Sequence, residues 1–367
     1  MKKKYSLLLI VLLTLANILF LAMNESEKGQ ARTAVTPLTE THSDLLEDEK
    51  NTIDIYDKTK LSVVNITTST ATMSWYYGMM EVPQGAGSGF VWNDQGFIVT
   101  NFHVIQGGNV FYVTFHKDPK KYPAKLVGAA PSKDIAVLRL VELPRNMSII
   151  HPGISKDLKV GQKVLAIGNP FGLDQTVTTG IVSALDRQIQ GVAGIKIYGM
   201  IQTDASINPG NSGGPLLDSH GRLIGMNTVI YSQSGSSAGV GFAVPVDIIN
   251  RFVPQLIQHG KIIRPGLGIE LLSDQYKAQI GLDKGLVVAE VIPGGPADKI
   301  GMQGLIADGE GRYHLGDVIL KINEQEVNSY DDIYNTLDQY QVGDEVNVTF
   351  QRNGKIQMAK MKLISAR

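Results

Sequence analysis

A glycine-rich turn around Ser212 is the part of the sequence best suited to covalent chemistry. Gly210 lies two residues before this serine and Gly213-Gly214 directly follow it, so the backbone can turn tightly and present its amides outward. Two backbone N–H groups fixed beside an attacking hydroxyl stabilise a developing oxyanion without side chains that could reorganise. By position these are the amides of Gly210 and Ser212. Taken alone, the turn also fits a glycine-rich surface connection between two strands.

A histidine and an aspartate upstream supply the other groups that acyl transfer needs. His103 follows the apolar run Gly96–Val99 just past a predicted strand end, and a serine hydroxyl near neutral pH needs such a base. Asp134 opens the apolar run Ile135–Leu138, where a shielded carboxylate can orient an imidazole and fix its tautomer. Singly, His103 fits a surface or core-edge histidine and Asp134 a turn-forming strand cap. The order His103, Asp134, Ser212 favours a catalytic triad.

Six separated segments resemble, in order, motifs of the HtrA/Deg family of trypsin-like serine proteases. Three hold the residues above, namely Thr100–Val104, Asp134–Leu138 and Gly210–Pro215, and three more are Gly85–Phe90, Ala166–Gly172 and Gly239–Pro245. Leu61 stands where the family usually has a proline, which bears on one strand entry and not on the site. The resemblance implies peptide-bond hydrolysis through an acyl-enzyme, with no cofactor and no metal, in a homotrimer.

The resemblance also implies where substrate side chains bind. In trypsin-type sites the residue six before the nucleophile lies at the base of the primary specificity pocket, and here it is the uncharged Ser206. Ile207 and the strand residues Asn227, Thr228 and Val229 are the expected walls. We therefore expect cleavage after small or medium apolar residues.

Short β-rich runs separated by glycine and asparagine fill the chain from about residue 53 to 253, which predicts an all-β sandwich or barrel architecture. The family resemblance implies the double β-barrel of chymotrypsin and trypsin, with the site in the cleft between the barrels. His103 and Asp134 would come from the first barrel and Ser212 from the second, with the division near Pro152–Gly161. We assign residues 51–258 to this mostly β protease domain and expect a helix from Pro245.

The C-terminal region, residues 262–367, resembles one α+β PDZ domain. In that fold the backbone amides of the loop Leu267, Gly268 and Ile269 would capture a terminal carboxylate, and the following strand would pair with an extended peptide. A helix near Ser329–Leu337 would be the second wall, and Asp308–Gly311 would be a hairpin tip. A purely structural appendage is the alternative.

The N-terminus predicts a membrane segment. Lys2-Lys3-Lys4 precede an uncharged apolar run from Tyr5 to Met23, close to the roughly 20 residues that span a bilayer. The end of the run offers no good cleavage site, which favours a retained anchor over residues 1–24 rather than a signal peptide. The lysines place the start in the cytoplasm, hence a single-pass protein of the bacterial inner membrane with its catalytic part in the periplasm. Signal cleavage would instead leave a soluble periplasmic enzyme, and residues 25–50 read as a flexible spacer.

Composition narrows the class of protein further. The 367 residues predict two or three domains, and a formal net charge of −1 argues against a nucleic-acid surface. The absence of cysteine excludes disulfides and thiolate metal sites, and the seven histidines form no His-Glu-x-x-His pair.

The sequence thus predicts a serine endopeptidase that cleaves misfolded or regulatory envelope proteins, including unfolded and membrane-protein polypeptides, under the control of C-terminal peptides at its PDZ domain. Such roles belong to stress response and protein quality control. A catalytically silent PDZ scaffold that retains the protease fold is the alternative from another class, and the three triad residue types argue against it.

Overall fold

The computed structural model describes residues 14–16, 18–19, 45–75, 78–170, 172, 175–191, 196–228, 239–307, 309 and 313–366. The chain divides into two units, residues 1–47 and 48–367. In the first unit residues 14–16 and 18–19 are helical, and the rest of the predicted span 5–23 lies outside the described residues. Within the described part of the chain, no helix combines the length and apolar character needed to cross a membrane.

Helix α1, Glu47–Thr59, includes the last four residues of the predicted flexible spacer 25–50. The prediction is corrected there because residues 47–50 are helical, while residues 25–44 lie outside the described part. Ile55 is 3% exposed and belongs to the main apolar core. The Asn51 side chain donates to the Ser219 carbonyl at 3.0 Å. These contacts hold the helix against the second half of the protease domain.

The first barrel is a closed six-stranded sheet in the order β1-β2-β3-β6-β5-β4. Its strands are β1 Val63–Ser74, β2 Gly78–Val91, β3 Phe97–Thr100, β4 Val110–Thr114, β5 Tyr122–Ala130 and β6 Ile135–Leu140. Helix α2, Phe102–Ile105, follows β3, and a 3-10 turn, Pro131–Lys133, precedes β6. Aliphatic side chains such as Ile66, Ile98 and Leu138 fill the interior, as β-branched and leucine residues do on pleated, buried strands.

The second barrel is closed in the order β10-β11-β12-β9-β8-β7. Its strands are β7 Lys163–Gly168, β8 Thr176–Gln190, β9 Lys196–Thr203, β10 Pro215–Asp218, β11 Leu223–Thr228 and β12 Gly241–Pro245. Helix α3, Val246–His259, follows directly, as expected, and contains Pro254. Its buried face, including Ile249, Phe252 and Leu256, joins one apolar cluster with residues of both barrels. The two barrels therefore share a core behind the cleft.

The C-terminal region, predicted to be a PDZ domain, consists of a sheet with three short helices. The helices are α4 Asp274–Gln279, α5 Pro296–Lys299 and α6 Tyr330–Leu337, and the strands are β13 Pro265–Gly266, β14 Ile269–Leu271, β15 Leu286–Val291, β16 Ile306–Ala307, β17 Tyr313–His314, β18 Val318–Ile322, β19 Gln325–Glu326, β20 Glu345–Arg352, β21 Lys355–Lys362 and β22 Ile364–Ser365. The main sheet runs β14-β15-β18-β20-β21, so β14 is an edge strand. Ser329 caps α6 by accepting a hydrogen bond from the Asp332 amide at 3.2 Å.

The predicted fold class, a mostly β double barrel followed by an α+β domain, is confirmed by the order of the strands. Strands β16 and β17 pair on either side of the predicted hairpin tip 308–311, of which only Gly309 is described.

Candidate active site

His103 and Asp134 are brought together by two paired strands. β3 and β6 are antiparallel neighbours in a register that sets Thr100 opposite Ala136. His103 lies in the short helix that begins two residues after β3, and Asp134 is the last residue before β6. Because antiparallel pairing puts the end of one strand beside the start of the next, both side chains emerge at the same end of the barrel.

The backbone of Asp134 is in the left-handed region, at φ 53° and ψ 42°. This conformation is uncommon for a residue with a Cβ atom, so its neighbours must hold it. The Asp134 amide donates to the Pro131 carbonyl at 3.2 Å, and its carbonyl accepts from the Asn101 side chain at 3.1 Å. Both backbone groups of Asp134 are therefore fixed, and the turn aims its side chain at His103.

The Asp134 carboxylate is buried and fully engaged. One oxygen accepts from the backbone N–H of His103 at 3.0 Å, and the other lies 2.9 Å from His103 Nδ1. The Thr228 hydroxyl, from the second barrel, donates to that second oxygen at 2.9 Å. Hydrogen bonds of this number are what a buried carboxylate requires. With Nδ1 held as a donor, Nε2 of His103 is left as the proton acceptor.

Ser212 lies in the turn between β9 and β10, three residues before β10. Its carbonyl accepts from the Ser88 amide of the first barrel at 2.8 Å, and the Gly213 amide donates to the Asn227 carbonyl at 2.9 Å. The residue is 4% exposed, and its hydroxyl meets no hydrogen-bond partner among the residues that the structure describes. The structure thus assembles the histidine–aspartate pair but not the bond from His103 to the Ser212 hydroxyl. Such bonds often form only when substrate is bound.

Two glycines of this turn have no room for a side chain. At Gly213, with φ +82°, an added Cβ would lie 2.2 Å from the Ser88 carbonyl oxygen and 2.4 Å from Thr100 Oγ1. At Gly210, with φ +115°, it would lie 2.4 Å from Pro170 Cβ. Glycine at 213 therefore allows the turn to pack directly on Ser88 and Thr100, and glycine at 210 allows it to pack on Pro170.

Ser88 is a site residue that the triad argument did not find. Its hydroxyl donates to the Gly210 carbonyl at 2.5 Å and accepts from the Asn169 amide at 2.7 Å. The side chain is fully buried. It fixes the peptide unit beside Gly210, one of the two predicted oxyanion donors. The sequence did indicate this residue, since Ser88 belongs to the family-like motif Gly85–Phe90.

The residues predicted to form the specificity pocket separate into different environments. Ser206 is exposed, and its carbonyl accepts from the Asn211 side chain at 3.0 Å. Ile207 is 5% exposed and packs in the core of the second barrel against Gly241. Val229 lies outside the described residues.

Asn227 and Thr228 brace the site from the end of β11. The Asn227 side chain, fully buried, donates to the Pro215 carbonyl at 3.0 Å and thereby braces the start of β10. The Thr228 hydroxyl is bonded to Asp134, as described above. Besides their predicted place as walls of the specificity pocket, these two side chains support the Ser212 turn and the aspartate.

The PDZ domain carries a groove of about 540 Å³ between β14 and α6. Gly268, at φ +73°, turns the loop that precedes β14, and its carbonyl accepts from the Ile292 amide at 3.0 Å. Leu267 is 2% exposed and anchors this loop in the domain core, while Ile269 begins the edge strand. At the other end, the Tyr330 hydroxyl donates to the Leu271 carbonyl at 2.5 Å.

Comparison with known proteins assigns both domains to families. A family model described as the trypsin-like peptidase domain matches residues 87–226, and a PDZ domain model matches residues 265–363. Protease Do-like 1, chloroplastic, of Arabidopsis thaliana is 49% identical over 337 residues, which cover 91% of this chain and 75% of that protein. A probable periplasmic serine protease do/HhoA-like of Haemophilus influenzae is 40% identical, over 76% of this chain and 58% of that protein.

Solved structures agree over most of the chain. The HtrA-type protease AlgW with decapeptide superposes with a TM-score of 0.64 at 33% identity, covering 86% of this chain and 98% of that chain. The serine endoprotease from Yersinia pestis gives a TM-score of 0.59 at 30% identity, with 86% and 98% covered.

Proposed function

This chain belongs to the HtrA/Deg family of serine proteases, with a trypsin-like peptidase domain and one PDZ domain, and we propose that Ser212 is its nucleophile. In this proposal His103 is the general base, Asp134 orients it, and the amides of Gly210 and Ser212 bind the oxyanion. The observation that carries it is the Asp134 carboxylate, which contacts both Nδ1 and the backbone N–H of His103. A carboxylate so placed fixes the tautomer in which Nε2 takes a proton.

Hydrolysis proceeds in two half-reactions. As Ser212 Oγ attacks the scissile carbonyl, Nε2 of His103 takes the hydroxyl proton and then gives it to the leaving amine when the C–N bond breaks. Water, deprotonated by the same nitrogen, then attacks the acyl-enzyme, which releases the new carboxylic acid and restores the serine. Asp134 stabilises the imidazolium through its contact with Nδ1. The Ser212 hydroxyl is unpaired within the described part, so substrate binding must bring it onto His103.

Primary specificity is assigned to the region beside Ser206 and Ile207, with the end of β11 as a wall. Ser206 offers no charge to pair with a basic side chain, which supports cleavage after small or medium apolar residues. Digestion of an unfolded protein, followed by mass spectrometry of the products, reads this preference directly. Predominant cleavage after lysine or arginine would contradict the assignment.

The PDZ groove is the proposed site for C-terminal peptides. Edge strand β14 has an open side where an extended peptide can add as a further strand, and the loop Leu267–Ile269 offers backbone amides for its carboxylate. One similar HtrA-type protease has been solved with a decapeptide, which supports this assignment. We expect peptide binding to raise turnover.

The cellular part of the proposal is an envelope protease that acts on unfolded or regulatory polypeptides. Curated bacterial relatives are named as probable periplasmic serine proteases, which supports action in the periplasm. An N-terminal anchor over residues 5–23 and a homotrimer belong to the same proposal. N-terminal sequencing and membrane fractionation test the anchor, because a mature start near Asn24 would convert it into a cleaved signal. Mass measurement in mild detergent tests the trimer.

One assay distinguishes an active enzyme from a catalytically silent PDZ scaffold. Purified protein is mixed with an unfolded substrate, with and without a peptide that ends in apolar residues, and with a fluorophosphonate probe. The proposal expects labelling, degradation and stimulation by peptide. Peptide binding without labelling or degradation would establish the scaffold instead.

A further inference from the structure

We propose that Lys133 is a positioning residue that ties the geometry of Asp134 to helix α6 of the PDZ domain. The inference rests on the proposed role of Asp134 in proteolysis and adds a physical route for its control. Lys133 immediately precedes Asp134 and closes the 3-10 turn Pro131–Lys133. Its side chain is only 7% exposed, although it ends in an ammonium group. A buried charge of this kind has to be paired, so its partners dictate where the turn can lie.

Among the described residues, the hydrogen-bond partners of the Lys133 ammonium both come from the PDZ domain. Nζ lies 2.8 Å from Asp338 Oδ2 and 2.8 Å from Asn335 Oδ1. Asp338 is also buried, with a side chain 9% exposed, and its carbonyl accepts a hydrogen bond from Arg251 of helix α3. The Phe252 ring lies 6.0 Å from the ammonium on its protease side. The two groups therefore form a largely buried ion pair between the two domains.

The residue before Lys133 is held by the same region of the PDZ domain. Ser132 accepts a hydrogen bond from the Arg264 guanidinium, which lies over the Tyr334 ring at 5.1 Å. The side chains of Ser132 and Lys133 are thus both held by α6, by the residue that follows it, or by a side chain stacked on it. Because Asp134 follows in a left-handed conformation, a displacement of the turn changes where its carboxylate points.

Helix α6 presents a second face to the peptide groove. Ile333, Tyr334 and Leu337 line that groove, while Asn335 and Asp338, three positions apart, hold Lys133. A peptide that packs on this groove-facing side restricts the position of the whole helix. Because Asn335 and Asp338 hold Lys133, restricting the helix also restricts the backbone just before Asp134. The position of the carboxylate that orients His103 is restricted as a result. This route runs directly to the proposed triad.

The experiment compares full-length wild type with Lys133→Met, Asp338→Asn and the double variant, each with and without a synthetic decapeptide that ends in apolar residues. Tyr198→Phe is the matched control, because it removes another bond to α6, from the Tyr198 hydroxyl to Asp332 at 3.1 Å, without touching Lys133. The readouts are kcat and KM on a quenched fluorescent peptide rich in valine and alanine. The downfield proton NMR signal of the His103–Asp134 hydrogen bond is measured in parallel.

Each single variant should lower kcat about tenfold with KM unchanged, abolish stimulation by the decapeptide and shift the downfield proton. The double variant should be no worse than either single one, because the pair acts as a unit. Lys133→Arg, which keeps the charge, should recover most of the activity, and Tyr198→Phe should stay within about twofold of wild type.

Equal effects of Lys133→Met and Tyr198→Phe, or an unchanged kcat and proton signal, would overturn the inference. If Lys133→Met does not fold, the nearly isosteric Asp338→Asn decides by the same criteria. A wild type that neither hydrolyses peptides nor reacts with a fluorophosphonate would refute the proposed function instead, and the proton signal would still report on the link from Lys133 to Asp134.

Discussion

The Thr228 hydroxyl of the second barrel donates to the Asp134 carboxylate of the first barrel at 2.9 Å. Both side chains are almost fully buried, so the bond crosses the cleft in a dry environment. It is made to one carboxylate oxygen, while the backbone N–H of His103 donates to the other. The two barrels are therefore joined at the residue that orients the proposed base.

Replacing Thr228 by valine should lower kcat about tenfold, with little change in KM. Hydrogen bonds to charged groups contribute about 1.5–3 kcal/mol, and a carboxylate that loses one can rotate away from His103. Steady-state kinetics on a fluorogenic peptide gives both constants. Thr70→Val is the matched control, since the Thr70 hydroxyl donates to the Gly107 carbonyl at an exposed position. A Thr228→Val enzyme as active as that control would show that the cross-barrel bond does not support catalysis.

Removing the Tyr330 hydroxyl should strengthen peptide binding to the PDZ domain. The Tyr330 hydroxyl donates to the carbonyl of Leu271 on edge strand β14, where an added strand needs that acceptor. A net hydrogen bond contributes about 0.5–1.5 kcal/mol, so Tyr330→Phe should tighten Kd by up to about tenfold.

Calorimetric titration of a C-terminal peptide measures this change in Kd. Tyr313→Phe, an exposed tyrosine outside the groove, is the control. Weaker binding by Tyr330→Phe would mean that the hydroxyl contacts the peptide rather than competing with it.

We expect the ionisation of Asp332 to make the unfolding free energy of the protein depend on pH in the acidic range. Burial alone would raise its pKa, but hydrogen bonds from the Asn328 amide and from the Ser329 and Tyr198 hydroxyls hold the pKa below the ordinary value of 3.8. The unfolded carboxylate therefore binds protons at a higher pH than the folded one. The stability that the ionised Asp332 side chain contributes is therefore fully present above the pKa of the unfolded state. It is lost as the pH falls through the lower pKa of the folded state.

Urea unfolding between pH 7 and pH 3 tests this dependence. Below about pH 4, the unfolding free energy of Asp332→Asn should fall less steeply with decreasing pH than that of wild type. Tyr198→Phe should show a smaller change in the same direction. Identical curves for wild type and Asp332→Asn would refute the assignment.

The sequence revealed the residues of the proposed triad because each stands in a local pattern, a strand end or a glycine turn, that constrains its backbone. It revealed less where contacts depend on distant elements. The sequence did not indicate the bond from Thr228 to Asp134, because that bond depends on how one barrel packs on the other. Lys133 and Asn335 are separated by 202 residues, and nothing in the local sequence of either indicates the other.

Helix α1 illustrates the limit for weakly apolar segments. Its sequence is rich in charge, and only Ile55 and Thr59 are buried, so the start of the helix resembled a spacer. Tertiary contacts, namely the packing of Ile55 in the core and the bond from Asn51 to Ser219, rather than helical periodicity, hold this element.

The central claim is that Ser212 is a nucleophile activated by His103 and Asp134. Its most direct test is kcat/KM on an unfolded protein substrate for wild type, Ser212→Ala, His103→Ala and the double variant, with Ser219→Ala as control and circular dichroism to confirm folding. Residues that act as a unit are not additive, so each single variant should lose at least about a thousandfold and the double variant no more. Ser219→Ala should match wild type. A folded Ser212→Ala protein that cleaves at a rate comparable to wild type would contradict the account.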